Sequence, residues 1–167
     1  MDIILTRRSI RKYKDKAVPD ATVYELLRAA MAAPSAGNAQ PWHFVVIRER
    51  QILDAIPEFH PYAGMVREAS VAILVCGDEK LEKYPGYWVQ DCSAATQNIL
   101  LAAHDRGLGA VWLGIYPREE RINGMRRLLS LPAEVTPLSL IPVGFPAEKK
   151  PPADRFLPER IHYDGWE

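Results

Sequence analysis

The stretch Ser70-Val71-Ala72-Ile73-Leu74-Val75-Cys76 barely alternates between apolar and polar residues, so it reads as a strand buried on both faces. On its N-terminal side, His43 to Arg48 (HFVVIR) predicts another strand, with one or two short helices between the two. On its C-terminal side, the longest helical pattern runs from Tyr87 to Arg106. There Ala94, Ala95, Ile99, Leu100, Ala102 and Ala103 make a broad small-residue surface and Gly107 supplies a C′ stop. A helix apolar over that width belongs at the centre of a fold. Ala110 to Ile115 (AVWLGI) and Leu138 to Phe145 (LSLIPVGF) predict two more strands, separated by a helix from Pro117 to Leu131 that opens with Pro-Arg-Glu-Glu. Strands and helices are mixed without strict alternation.

Further out, Asp2 can cap a short helix over Ile3 to Arg8. Val18-Pro19-Asp20 starts a second helix, whose apolar positions Val23, Leu26, Leu27, Ala30 and Met31 keep the 3.6-residue period until Pro34 stops it. After Pro146 the composition shifts to the proline-rich Lys149 to Arg155, followed by Arg160 to Tyr163 as one candidate terminal strand. No repeat and no linker divides the chain, so residues 1–167 read as one domain, a size that buries roughly 70% of the unfolded surface. The C-terminal arm has little core of its own, which suits a segment lying across a partner subunit.

Basic and acidic residues balance at 21 each, which argues against nucleic acid or an anionic membrane as a partner and makes any anion site local. Cys76 and Cys92 form no CxxC motif and read as buried free thiols. The first residues lack the pattern of a signal peptide, and no apolar run is long enough to span a bilayer, so the expectation is a soluble cytoplasmic protein. His43, His60, His104 and His162 lack metal-ligand spacing, and HExxH, GxSxG, P-loop and GxGxxG motifs are missing. Asp91, Glu119 and Glu120 read as solvated or paired carboxylates, none of them a catalytic base.

Two segments carry chemistry. Arg7-Arg8-Ser9-Ile10-Arg11 offers guanidiniums whose planar forks match phosphate oxygens, with a hydroxyl between them. In Pro34 to Trp42, Ser35, Asn38 and Gln40 supply donors and acceptors, Ala36, Gly37 and Ala39 remove bulk, and two prolines stiffen the loop. Together they suggest a site for a flat, phosphate-bearing cofactor. Val111-Trp112-Leu113-Gly114 ends a strand where backbone amides can meet a ligand edge, and Arg155 in the tail either completes a phosphate site or is solvated.

Through RRSIR, PSAGNAQPWHFVVI, LLAAHDRGLGAVWLG and VGFP, in that order along nearly the whole chain, the sequence resembles the nitroreductase family of FMN-dependent oxidoreductases. The resemblance implies an α+β fold with a central, mostly antiparallel (mixed) sheet flanked by helices. It also implies an intertwined homodimer that exchanges C-terminal arms and holds FMN at the subunit interface. By motif, Arg7, Arg8 and Ser9 would hold the phosphate and ribityl side, Arg11 the pyrimidine edge, and Arg155 the phosphate again. Pro34, Ser35, Ala36, Asn38 and Gln40 would come from the other subunit, while Leu113 and Gly114 would meet the flavin through backbone. The implied reaction is ping-pong: NAD(P)H gives hydride to flavin N5, and a nitroaromatic or quinone then takes the electrons.

Larger family members insert a helical lid where this chain has only Gly77 to Gly86. The pocket is then either open or closed by Tyr84, Tyr87 and Trp88; Tyr84, Trp88 and Tyr62 are the candidate substrate contacts, and the Tyr62/Met65 side of the ring is unassigned. The short lid also motivates a second reading, a flavin-binding carrier or redox sensor without turnover.

Overall fold

The computed structural model describes residues 2–166. Its helices are α1 (Asp2–Thr6), α2 (Asp20–Met31), α3 (Arg50–Ala55), α4 (Trp88–Asp105) and α5 (Glu119–Leu129). Strands β1 (Trp42–Ile47), β2 (Val71–Asp78), β3 (Gly109–Ala110), β4 (Leu113–Gly114) and β5 (Val135–Gly144) form one sheet in the order β1-β2-β5-β3, with β4 also on β5. Every strand pair is antiparallel, and a parallel contact comes from the isolated bridge of Ser9 to Ala110. This is the expected α+β architecture.

β2 explains the layering. Val71, Ile73 and Val75 join Val23, Leu26 and Ala30 of α2 and Cys92, Ala95 and Ile99 of α4 in one apolar cluster. Ala72, Leu74 and Cys76 point the other way, into a second cluster with Leu53 of α3 and Ile122 and Met125 of α5. A strand with period-2 side chains and apolar residues on both faces must be covered on both. Each fully buried Leu or Ile contributes about 1.5–3 kcal/mol to that arrangement.

Several boundaries differ from the sequence expectations. Asp2 is the first residue of α1 rather than its cap, and α1 ends at Thr6, which leaves Arg7 and Arg8 in the following turn. Met31 is 53% exposed, outside the α2 stripe. Ala110 to Ile115 is not one strand. β3 and β4 nevertheless share a single register along β5, with Ala110 opposite Val143 and Leu113 opposite Leu140. The interruption falls beside Pro142, which has no N–H to give the ladder. β5 itself starts earlier than expected, at Val135, and all its positions are buried. Arg160 to Tyr163 forms no strand: a 3-10 turn (Pro158–Arg160) occupies the arm, and residues 151–166 are exposed.

Gly107 does close α4, with φ +69° and the Leu108 N–H bonded to the Ala103 carbonyl at 2.8 Å. Cys76 and Cys92 are free and buried, and burial pushes both thiols up to about 12. Among the described residues no helix is long and apolar enough to cross a membrane, and no cluster of His, Cys, Asp and Glu has metal-binding proximity.

Candidate functional site

The basic turn is tied to the sheet edge. Ser9 bridges Ala110, and the Ile10 N–H donates to the Ala110 carbonyl at 3.0 Å, so the arginines on either side are held at the rim of β3. Arg7, Arg8 and Arg155 line one cavity of about 340 Å³ together with Asp154, whose Oδ1 accepts the Phe156 N–H at 3.0 Å. Burial, then the charges of Arg155 and Arg8, lower the Arg7 pKa. Arg8 donates from Nε to the Pro151 carbonyl at 2.8 Å and from Nη1 to the Leu5 carbonyl at 2.9 Å, which fastens the arm to α1. Its Nη2 is buried with no acceptor. Three guanidiniums against one carboxylate leave this cavity deficient in negative charge, and an anion with several oxygens corrects that.

A second cavity, about 390 Å³, is lined by Arg11, His60, Tyr62, Met65, Trp112, Leu113, Gly114 and Arg121. Its β4 wall is open: a Cβ added at Gly114 would meet nothing within 4 Å. The Gly114 carbonyl accepts from Arg121 Nη1 at 2.7 Å and faces His60 Nε2 at 3.1 Å. Arg11, Leu113, Gly114 and the previously unassigned Tyr62 and Met65 therefore meet in one place. Arg7 and Arg11 sit on one turn, separated by at most about 14 Å of extended backbone.

The 34–40 loop lines neither cavity of its own chain. It is built with left-handed backbone at Gly37 (φ 58°), Asn38 (φ 54°) and Gln40 (φ 50°), a conformation uncommon for residues with a Cβ. Ser35 Oγ accepts the Gln40 N–H at 3.0 Å, and Gln40 Nε2 donates to Asn38 Oδ1 at 3.1 Å. Lys83 Nζ donates to the Gly37 carbonyl at 2.6 Å, and Asp91 Oδ1 accepts the Ala36 N–H at 3.0 Å. Pro34 is exposed at the loop's entry.

The aromatic candidates separate. Tyr62 is 70% exposed at the second cavity, with the Arg121 guanidinium 5.5 Å from its ring centre. Tyr84 belongs to the loop, within 3.0 Å of where a Cβ on Gly37 would sit. Trp88 is a core residue instead of a pocket wall, buried against Gly77 and edge-on to Tyr116 at 5.0 Å.

Sequence reading passed over His60, Arg121 and Asp91 as site residues. Asp91 carried a signal: it shares the buried stripe of α4 with Cys92 and Ala95, where a carboxylate is out of place unless it holds something. His60 and Arg121 carried none, because what joins them is the Gly114 backbone oxygen, seven residues from Arg121 and 54 from His60.

The nitroreductase family model matches residues 4–61 and 60–145. A Methanothermobacter thermautotrophicus protein, provisionally named NADH dehydrogenase/NAD(P)H nitroreductase, is 57% identical over 166 residues, covering 99% of this chain and 87% of its own. A Desulfovibrio desulfuricans protein, provisionally a nitroreductase and solved in complex with FMN, superposes with a TM-score of 0.86 at 38% identity, covering 99% of this chain and 96% of that one. An FMN-dependent nitroreductase from Clostridium difficile superposes with a TM-score of 0.91 at 26% identity, covering 98% of each chain. The sheet with its paired cavities, the family model and these likenesses agree that this chain belongs to the nitroreductase family.

Proposed function

We propose that this chain is an FMN-dependent NAD(P)H oxidoreductase, a single domain that works as a homodimer. The observation that carries the reading is the pair of cavities joined by the Arg7 to Arg11 turn: a guanidinium cluster with an orphaned N–H at one end, and an open glycine wall beside Arg11 at the other. Arg7, Arg8, Ser9 and Arg155 would hold the FMN phosphate and ribityl chain, and Arg11 the pyrimidine edge. Leu113 and Gly114 would bound the ring through backbone. When bound, FMN supplies two-electron redox chemistry, taking hydride from NAD(P)H and passing electrons in a separate half-reaction to an electron-poor acceptor such as a nitroaromatic or quinone.

The chain's own residues do the binding, orienting and charge balancing, and no side chain is needed as a nucleophile. Pro34, Ser35, Ala36, Asn38 and Gln40 would complete the site from a second subunit. Two features favour that arrangement: the loop lines neither cavity of its own chain, and the exposed arm carries Phe156, Leu157, Ile161, Tyr163 and Trp166, apolar side chains that a second subunit would cover. Two buried thiols without a disulfide suit the reducing cytoplasm. With only a short turn after β2, Tyr62 at the second cavity and Tyr84 on the loop offered to a second subunit are the candidate substrate contacts.

Titrating the purified chain with FMN, while following flavin fluorescence and particle mass, tests the site and the assembly together. Saturation at one FMN per chain in a dimer is expected. A monomer that leaves flavin fluorescence unchanged would overturn the reading.

A further inference from the structure

Arg121 in the first turn of α5 and His60 in the connection before β2 reach the same backbone atom. The imidazole Nδ1 accepts the Tyr62 N–H at 3.3 Å, which leaves the ring proton on Nε2, and Nε2 donates to the Gly114 carbonyl at 3.1 Å. Arg121 Nη1 donates to the same oxygen at 2.7 Å. A carbonyl has two lone pairs, so this one is fully used and the peptide plane at the end of β4 is fixed from two sides. His60 is only 1% exposed; burial, then the Arg121 charge, lower its pKa, so a neutral ring sits beside the guanidinium.

Both side chains also line the cavity that holds Arg11, and no carboxylate is among the residues lining it. Arg121 is thus a second cation of that cavity, half-buried and without a counter-charge there. Resting on the FMN reading above, we propose that Arg121 is a positioning and charge-bearing residue of the flavin site. With His60 it fixes the Gly114 carbonyl, and its charge favours the reduced cofactor over the oxidised one. Reduction adds negative charge to the bound ring, and a nearby cation in a partly dehydrated cavity stabilises that state more.

The test is the two-electron midpoint potential of bound FMN in wild type, R121K and R121Q, with the affinity for oxidised FMN measured alongside. R121Q is expected to lose about tenfold of the preference for reduced FMN, a fall of about 30 mV. R121K, which keeps the charge and loses the planar fork, should retain most of it. A wild-type potential in R121Q would overturn the proposal, whereas a wild-type chain that binds no FMN would overturn the reading beneath it as well. A second measurement needs no flavin and no variant: 15N NMR of the His60 imidazole in the FMN-free chain should show the Nε2-protonated tautomer. The Nδ1-protonated tautomer would remove the clamp on Gly114 and overturn the proposal.

Discussion

Asp91, 5% exposed in the first turn of α4, accepts the Ala36 N–H at 3.0 Å through Oδ1, while its Oδ2 is buried without a partner. A helix thus grips the loop that carries Ser35, Asn38 and Gln40, and it does so with a carboxyl group that the surrounding core does not otherwise need. Asp91→Ala removes the acceptor and leaves a part-buried N–H unmet, a loss of about 1–3 kcal/mol. Urea denaturation should show that fall in midpoint at an unchanged slope, and FMN should dissociate faster from the folded variant. Wild-type stability in this variant would show that the contact holds nothing.

Arg7→Ala and Arg8→Ala each remove guanidinium donors from the anion end of the site. At about 1.5–3 kcal/mol for a charge-assisted bond, FMN affinity should weaken about 10- to 100-fold. Arg8→Ala should also loosen the arm, because its Nε holds the Pro151 carbonyl. Fluorescence titration reads the first effect, and proteolysis of the tail the second.

Two glycines make opposite predictions. A methyl at Gly77 would overlap the Trp88 ring, so Gly77→Ala should destabilise the fold by about 1–3 kcal/mol. A methyl at Gly114 meets no protein atom within 4 Å. Gly114→Ala should therefore keep wild-type stability within about 0.5 kcal/mol while binding FMN more weakly, since the methyl enters the cavity. Thermal melts with and without FMN separate the two.

The fold was legible where one chain segment carried its own pattern. β2 was readable because both of its faces are apolar, and α4 because Gly107 marks its end. The split between β3 and β4 was not, since it depends on Pro142 of β5 lying opposite, a pairing that no local pattern reveals. Arg7, Arg8, Arg11, Leu113 and Gly114 were readable as motif positions, and the structure places Arg7 and Arg8 at one cavity and Arg11, Leu113 and Gly114 at another. His60 and Arg121 act through the carbonyl of Gly114, so only the tertiary structure joins them.

His60 sets a pH dependence. Its folded pKa lies below the ordinary 6.5, so the unfolded chain binds the proton more readily and stability rises with pH across the interval between the two values. The contribution is complete above about pH 6.5 and is lost as pH falls toward the folded pKa. His60→Gln, which can still donate to Gly114, should flatten this part of the stability curve. Melting temperatures of the two proteins from pH 5 to 8 give the difference, and parallel curves would contradict the assignment.

The central claim is that the two cavities serve one redox cofactor in turnover. Anaerobic addition of NADH, then NADPH, to the FMN-loaded chain in an absorbance cuvette tests it most directly. The flavin band should bleach within seconds with at least one donor and return when a quinone or nitroaromatic is added. A bound flavin that stays oxidised with both donors would contradict the enzyme reading and leave a carrier or sensor in its place.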